Sequence, residues 1–120
     1  MTKLTEAQEE WLVALESGEY KQTRRRLRDD NGFCCLGVAC DLSGLGTWTP
    51  LNRDPAQVFA TEDRERSTTG LLPAVREWLS IASDGEGALA DMNDDGKTFA
   101  EIAKWIRENA DEVFTQGDDE

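Results

Sequence analysis

Apolar residues recur at three- and four-residue spacing near both ends of the chain, and this period predicts a helix at each end. A capping box begins at Thr5 and another at Thr98, while Gly18 follows the first apolar stripe as a stop signal. The first stripe comprises Leu4, Ala7, Trp11, Leu12 and Leu15. The last comprises Phe99, Ile102, Ala103, Ile106, Ala110 and Val113.

A central segment, residues 33–42, is apolar on every side of a helical wheel except at Asp41, which is typical of a buried element. Its small residues favour a short, closely packed helix over a central strand, and Ser43 and Gly44 predict the end of that helix. These small residues are Gly37, Ala39 and Cys40. A further helix is predicted to begin at Pro73, with a stripe of Val75, Trp78, Leu79 and Ala82.

The β signals are weaker and lie between these helices. Residues 20–28 alternate imperfectly and precede a turn signal at 29–32, so we expect a short strand followed by a tight turn. The β-like pieces at 46–50 and 57–61 belong to an otherwise irregular section, and we expect them to complete a small antiparallel sheet with residues 20–28. Residues 83–87 predict a loop.

The predicted fold is therefore α+β and helix-dominated, with about four helices and a small antiparallel sheet or hairpin. We expect residues 1–115 to form a single globular domain, because a chain of 120 residues buries one core and has no room for a second. Residues 116–120 are polar and predict a flexible acidic tail. Four Trp and four Phe argue against disorder.

The chain carries 25 acidic and 13 basic side chains, a net charge of −12, and no histidine. The lack of histidine excludes Ser/His and Cys/His nucleophilic systems and histidine-ligated metals. The acids concentrate in the first and last helices, whereas residues 21–28 form a basic strip. Because a net negative field repels phosphate backbones, we expect no direct nucleic-acid binding.

An acidic surface can instead occupy the basic groove of a nucleic-acid-binding protein. The default alternative is that acidity only keeps a small protein soluble. The candidate partner-binding acidic face comprises Asp91, Asp94, Asp95, Glu108, Asp111 and Glu112.

The basic strip offers candidate contacts to an anionic ligand. In an extended conformation Arg24, Arg26 and Arg28 face one way, and guanidinium groups bind phosphate well. Trp48, in the irregular section, is the aromatic residue most suited to a binding surface. The default alternative is that the arginines pair with the excess carboxylates of the first and last helices.

Cys34 is expected in the first helical turn, where the helix dipole favours a thiolate. Because the chain has no histidine to act as its base and its neighbours are apolar, we expect a buried small side chain instead. The cysteine spacing does not match zinc ligands. Residues 91–97 match the first half of a calcium loop, but Ile102 occupies the position of its essential glutamate, so a polar turn is favoured. We predict no metal and no cofactor.

The amino-terminal residues show no secretory signal, and no apolar run approaches the roughly 18 residues of a membrane span. Three cysteines, two of them adjacent, fit the reduced thiols of a cytosol better than a disulfide framework. We therefore expect a cytoplasmic protein that makes no membrane contact.

Two segments give the chain a resemblance to known proteins. Residues 33–42 read FCCLGVACDL, and residues 92–103 read MNDDGKTFAEIA. Together with GLLP at 70–73, they resemble small uncharacterised proteins of tailed bacteriophages and prophages, over about residues 11–106. The resemblance implies a phage origin and action inside a bacterial cytoplasm, and it supplies no catalytic residue.

These observations lead to one main hypothesis and two alternatives. The main hypothesis is a non-enzymatic phage accessory protein that binds and inhibits a host protein, such as a defence or nucleic-acid-handling factor, through its acidic surface. The first alternative is a small-molecule or nucleotide-binding sequestering protein, in which the arginine strip holds phosphate and Trp48 stacks on a base. The second is a thiol-dependent enzyme at Cys34.

Overall fold

The fold is that of a computed structural model, which describes residues 4–51, 54–61 and 65–115. It is α+β, as predicted, with six helices and two small antiparallel sheets in this part of the chain. The helices are α1 (Glu6–Ser17), α2 (Cys35–Ser43), α3 (Pro73–Leu79), α4 (Ser83–Asp94), α5 (Phe99–Glu108) and α6 (Ala110–Val113). The strands are β1 (Arg28–Asp29), β2 (Gly32–Phe33), β3 (Gly46–Leu51), β4 (Asp54–Thr61) and β5 (Arg66–Ser67). The predicted tail at 116–120 lies outside the described residues.

Local capping signals determine where α1 and α5 begin, and both predicted helices are confirmed. The Thr5 hydroxyl accepts from the Gln8 backbone N–H, and the Gln8 side chain accepts from the Thr5 N–H. Thr98 and Glu101 exchange the same pair of hydrogen bonds at the start of α5. Gly18 ends α1 in the left-handed conformation, with φ of 79°.

The buried helix predicted over residues 33–42 is confirmed as α2. Cys34 caps it, because its Sγ accepts from the Gly37 backbone N–H at 3.3 Å. A side chain at Gly37 would collide with the backbone carbonyl of Leu27, so only glycine allows the close approach that the small residues indicated. The Trp11 indole N–H donates to the Cys35 carbonyl at 2.9 Å and joins α2 to α1.

The prediction of a strand over residues 20–28 is wrong. Only Arg28, in β1, lies in a strand, and the rest of the segment bends, with an isolated bridge between Gln22 and Phe33. The sheet of β3, β4 and β5 consists of the 46–67 region alone, so the expected pairing with residues 20–28 is also wrong. The turn at 29–32 is confirmed, because the Asp29 carboxylate accepts from the backbone N–H groups of Asn31 and Gly32.

The loop predicted at residues 83–87 is also wrong, because these residues form the first turns of α4. Gly85 is buried so closely against the backbone of Val113 that a Cβ there would clash. Close packing onto α6 therefore outweighs the low helix propensity of glycine at this position. The buried core lies between α1, α2, α4 and α5, and its largest members include Trp11, Leu12, Leu36, Leu89, Ile102 and Ile106.

None of the helices within the described ranges combines the length and apolar character that a membrane span requires.

Candidate functional site

The six candidate acidic residues fall into two groups at opposite ends of α4. Asp91, Asp94 and Asp95 lie at its carboxyl end. Glu108, Asp111 and Glu112 belong to the end of α5 and the start of α6, and α6 packs against the first turn of α4 through Gly85. Since Asp94 follows Gly85 by nine residues, the helical rise places these two positions about 13 Å apart along α4. The six residues therefore form two groups and not one continuous cluster.

All six side chains are exposed, but their surroundings differ. The carboxyl-end group lies against the arginines, because Asp94 Oδ1 accepts from the Arg25 backbone N–H at 2.8 Å. The other group, Glu108, Asp111 and Glu112, is called the α6 end below. Its Glu108 and Glu112 form no ion pair with any residue in the described part of the chain. Asp94 of the carboxyl-end group therefore already binds the arginine loop, whereas Glu108 and Glu112 have no cationic partner among the described residues.

Arg107 directly precedes Glu108, but its side chain contacts α1. Its guanidinium binds Glu9 and Glu16 of α1, with one distance of 2.7 Å to each carboxylate. These hydrogen bonds lower the pKa of Glu9 and raise the pKa of Arg107. Arg107, the basic residue nearest in sequence to the α6 end, thus offsets the negative charge of two α1 carboxylates and not that of the α6 end.

The structure divides the four predicted ligand contacts into two pairs. Arg24 and Arg26 line an open cavity of about 590 Å³ together with Gln22, Thr23, Asp29 and Asn31. Arg28 lies elsewhere, with its guanidinium 4.8 Å from the centre of the Phe33 ring and 5.5 Å from that of Trp48. A single ligand held by all three arginines and Trp48 does not fit this arrangement.

The expected pairing of the strip with carboxylates of the first and last helices does not occur among the described residues. Arg26 contacts Asp29 within its own loop, at 3.6 Å. Arg24, Arg25 and Arg28 form no ion pair in the ranges that the structure describes. The guanidinium groups of these three arginines therefore have no carboxylate within ion-pair distance among the described residues, although the Asp94 carboxylate binds the loop backbone.

Trp48 takes part in an aromatic cluster. Its ring centroid lies 4.9 Å from that of Phe59 and 5.9 Å from that of Phe33, which in turn packs edge-on against Tyr20 at 5.0 Å. The Trp48 indole N–H also donates to Asp41 at 3.2 Å. These contacts favour a structural role for Trp48, in which it holds β3 against α2.

All three cysteines are free thiols and buried. Burial raises the pKa of Cys34 to about 11, and it raises the pKa of Cys35 and Cys40 as well. At neutral pH each side chain is therefore a protonated thiol, which is a poor nucleophile. This agrees with the expectation of a buried small side chain at Cys34.

The calcium-like segment at residues 91–97 begins as the last turn of α4 and becomes a turn only at Asp95. Asn93, at a position that would coordinate the ion, is fully buried and hydrogen-bonded within the protein. No group of three or more Cys, Asp or Glu side chains in the described ranges is placed to hold a metal ion.

Sequence patterns did not identify Asn93 or Arg107 as organising residues. The partners of Asn93 are Gln22, Thr23 and Cys35, which lie 58 to 71 positions away. Those of Arg107 lie 91 and 98 positions away. No local spacing rule reaches over such separations.

Comparison with known proteins gives a family but no activity. No curated protein and no solved structure matches the chain. A family model described as a domain of unknown function, DUF8296, matches residues 3–110. The match includes both acidic groups except Asp111 and Glu112, and it includes the whole arginine loop. Because it covers most of the chain, the protein belongs to the DUF8296 family.

Proposed function

We propose that this protein is a non-enzymatic phage accessory protein that acts in the bacterial cytoplasm, where it binds and inhibits a host protein through its acidic surface. The observation that carries the proposal is the placement of Arg107, which neutralises Glu9 and Glu16 and leaves the α6 end without that positive charge. A protein that used its acidity only for solubility would not require such an uneven distribution. The resemblance of the 33–42 and 92–103 segments to phage proteins supports the phage origin.

The chemistry of the α6 end favours a basic partner. Glu108 is the last residue of α5, and Asp111 and Glu112 lie in the first turn of α6. Carboxylates displayed at short intervals can meet the arginines and lysines that a host protein uses to hold phosphates. We therefore expect the partner to be a defence or nucleic-acid-handling protein with a basic groove.

The buried thiols support a binding role over the thiol-enzyme alternative. Cys34 is 6% exposed, and its raised pKa keeps it protonated at the pH of a cytoplasm. A nucleophile that is neither accessible nor ionised gives little catalysis.

The test is capture of host protein by the purified, immobilised chain and by three variants. The first variant removes the α6 group with Glu108→Gln, Asp111→Asn and Glu112→Gln. The second removes the other acidic group with Asp91→Asn, Asp94→Asn and Asp95→Asn. The matched control changes the net charge by the same amount at three exposed carboxylates elsewhere in the chain, with Glu10→Gln, Glu19→Gln and Glu65→Gln.

We expect the first variant to capture at least about tenfold less of the partner than the control, because several interfacial ion pairs of a few tenths to 1 kcal/mol each are removed together. The second variant is expected to have a smaller effect, since Asp94 already binds the arginine loop. Equal loss in the first variant and the control would show a general charge effect and contradict a defined acidic surface.

A further inference from the structure

The loop that carries Arg24, Arg25 and Arg26 is held in a strained conformation. Arg25 has φ of 70°, in the left-handed region that side chains with a Cβ rarely adopt. Its backbone N–H donates to Asp94 Oδ1 at 2.8 Å, so this conformation is fixed by α4. Such strain persists only where the surroundings over-determine the backbone, and it is most common at functional sites.

Both flanks of the loop are attached to the protein body. The Thr23 carbonyl accepts from the buried Asn93 side chain at 2.8 Å. The Leu27 backbone N–H donates to the Thr68 carbonyl at 2.7 Å, and Leu27 is fully buried. The arginines between these points therefore start from a rigid backbone, which lowers the entropy cost of binding a ligand.

The cavity next to this loop has the size of a small-molecule site. Its volume of about 590 Å³ lies in the usual range for such pockets. Arg24, Arg26 and Asn31 are among the residues that line it, and all three side chains carry hydrogen-bond donors. Arg24 forms no ion pair in the described part of the chain, and its guanidinium lies beside Gly96.

The carboxylate in the cavity wall, Asp29, already has partners. It accepts from the Thr23 hydroxyl and from the backbone N–H groups of Asn31 and Gly32. Its contact with Arg26 is long, at 3.6 Å, so that guanidinium retains donors for a ligand. Two arginines therefore face one cavity with unused hydrogen-bonding capacity, in a chain whose net charge is −12.

We propose that this cavity binds a phosphate-bearing small molecule, with Arg24 and Arg26 holding a diphosphate group and Asn31 donating to it. A planar guanidinium group can donate two parallel hydrogen bonds to phosphate oxygens, so two such groups on one open cavity suit a diphosphate. The proposal goes beyond host-protein binding and does not depend on it, because the site is on the arginine loop and not at the α6 end.

The experiment is isothermal titration calorimetry of the purified full chain with pyrophosphate, with ADP and with a single-stranded oligonucleotide, each in a separate titration. The site variant carries Arg24→Gln and Arg26→Gln. The matched control carries Arg66→Gln and Lys104→Gln, two exposed cations on other elements, and removes the same charge. A second control, Arg25→Gly, removes a neighbouring charge while allowing the positive φ.

We expect the site variant to bind pyrophosphate at least about tenfold more weakly than wild type, because charge-assisted hydrogen bonds are lost. The Arg66/Lys104 control should stay within about threefold of wild type, since screening limits the effect of distant charges. Arg25→Gly should stay within the same range, because Arg25 is not among the residues that line the cavity. Tighter binding of ADP than of pyrophosphate would identify a nucleotide, whereas equal binding would identify the phosphate groups alone as the recognised chemistry.

Three results would overturn the proposal. The first is no measurable binding of pyrophosphate by the wild type, and the second is equal weakening of that binding in the site variant and in the Arg66/Lys104 control. The third is arginine-dependent binding of a single-stranded oligonucleotide that is tighter than the binding of ADP. Thermal melting of each variant checks that it is folded. Because the titration contains no host protein, its failure leaves the proposed function intact, and failure of host capture leaves this site intact.

Discussion

At the scale of single residues, Asn93 connects three parts of the chain. Its side-chain oxygen accepts from the Gln22 amide at 2.9 Å and from the Cys35 backbone N–H at 3.2 Å. Its amide donates to the Thr23 carbonyl at 2.8 Å, and the residue is fully buried. The network fixes the arginine loop, the start of α2 and the end of α4 relative to one another.

Replacing Asn93 should therefore be costly. We expect Asn93→Ala to lower the free energy of unfolding by about 2–4 kcal/mol, because it leaves buried backbone groups of Thr23 and Cys35 without partners. Urea denaturation measures this. Asp91→Ala is the control, an exposed position on the same helix where a change within about 0.5 kcal/mol is expected. Similar values for the two variants would contradict the role given to Asn93.

The Cys34 thiol predicts a loss of stability in alkali. Its pKa is raised to about 11 by burial, whereas an unfolded thiol ionises near its ordinary value of about 8.5. The stability that the protonated thiol contributes is fully present below the unfolded pKa and is lost as pH rises from about 8.5 to about 11, by about 3 kcal/mol at most. Chemical denaturation across this range should show a shallower decline for Cys34→Ser, which keeps a capping side chain but does not titrate. Identical declines would contradict the raised pKa, because they would show that Cys34 ionises equally in the folded and unfolded states.

Cys34 and Asn93 differ in how far the sequence alone indicates their structural roles. The burial of Cys34 follows from its apolar neighbours, which are adjacent in the chain. Asn93 has no such local signature, and its spacing with Asp91 and Asp95 suggests metal ligation instead. Its actual partners come from residues 22–35, so its role depends on the tertiary fold.

At the scale of secondary-structure elements, Asp41 connects α2 to two aromatic side chains. Its carboxylate accepts from the Tyr20 hydroxyl at 2.8 Å and from the Trp48 indole at 3.2 Å. Trp48 also contacts Phe59 of β4. The base of the β3 and β4 hairpin is therefore fixed to the helical part of the protein through one carboxylate.

This connection can be followed through the phenol of Tyr20, the only tyrosine in the chain. Burial, and then the hydrogen bond to Asp41, raise its pKa to about 12. Asp41→Asn should lower that pKa toward 10, since it removes the negative charge that disfavours the phenolate. Phenolate absorbance measures the change, with Asp84→Asn as a control at another exposed carboxylate. An unchanged pKa in Asp41→Asn would contradict the contact.

Elements with local signals were predictable, and elements that depend on packing were not. The capping residues of α1 and α5 lie within four positions of the groups they bind. By contrast, the first turn of α4 contains Gly85, whose helical state depends on the distant backbone of Val113. Residues 20–28 alternate as a strand would, yet their backbone groups bind Phe33, Thr68 and the Asn93 and Asp94 side chains.

At the scale of the whole molecule, charge is distributed unevenly over the described surface. The concentration of acids in the first and last helices follows from counting along the sequence. Which of these acidic side chains are neutralised depends on the fold, because Arg107 of α5 pairs with Glu9 and Glu16 of the neighbouring helix α1. The same fold separates the predicted acidic face into two groups, of which the α6 end is proposed to bind the host protein.

The most direct test of this account measures how tightly the captured host protein binds two variants. One is the α6 variant, with Glu108→Gln, Asp111→Asn and Glu112→Gln, and the other is its charge-matched control; the two dissociation constants are compared. We predict at least about tenfold weaker binding for the α6 variant and little change for the control. The same constant for both variants would contradict the claim that the α6 end is the binding surface.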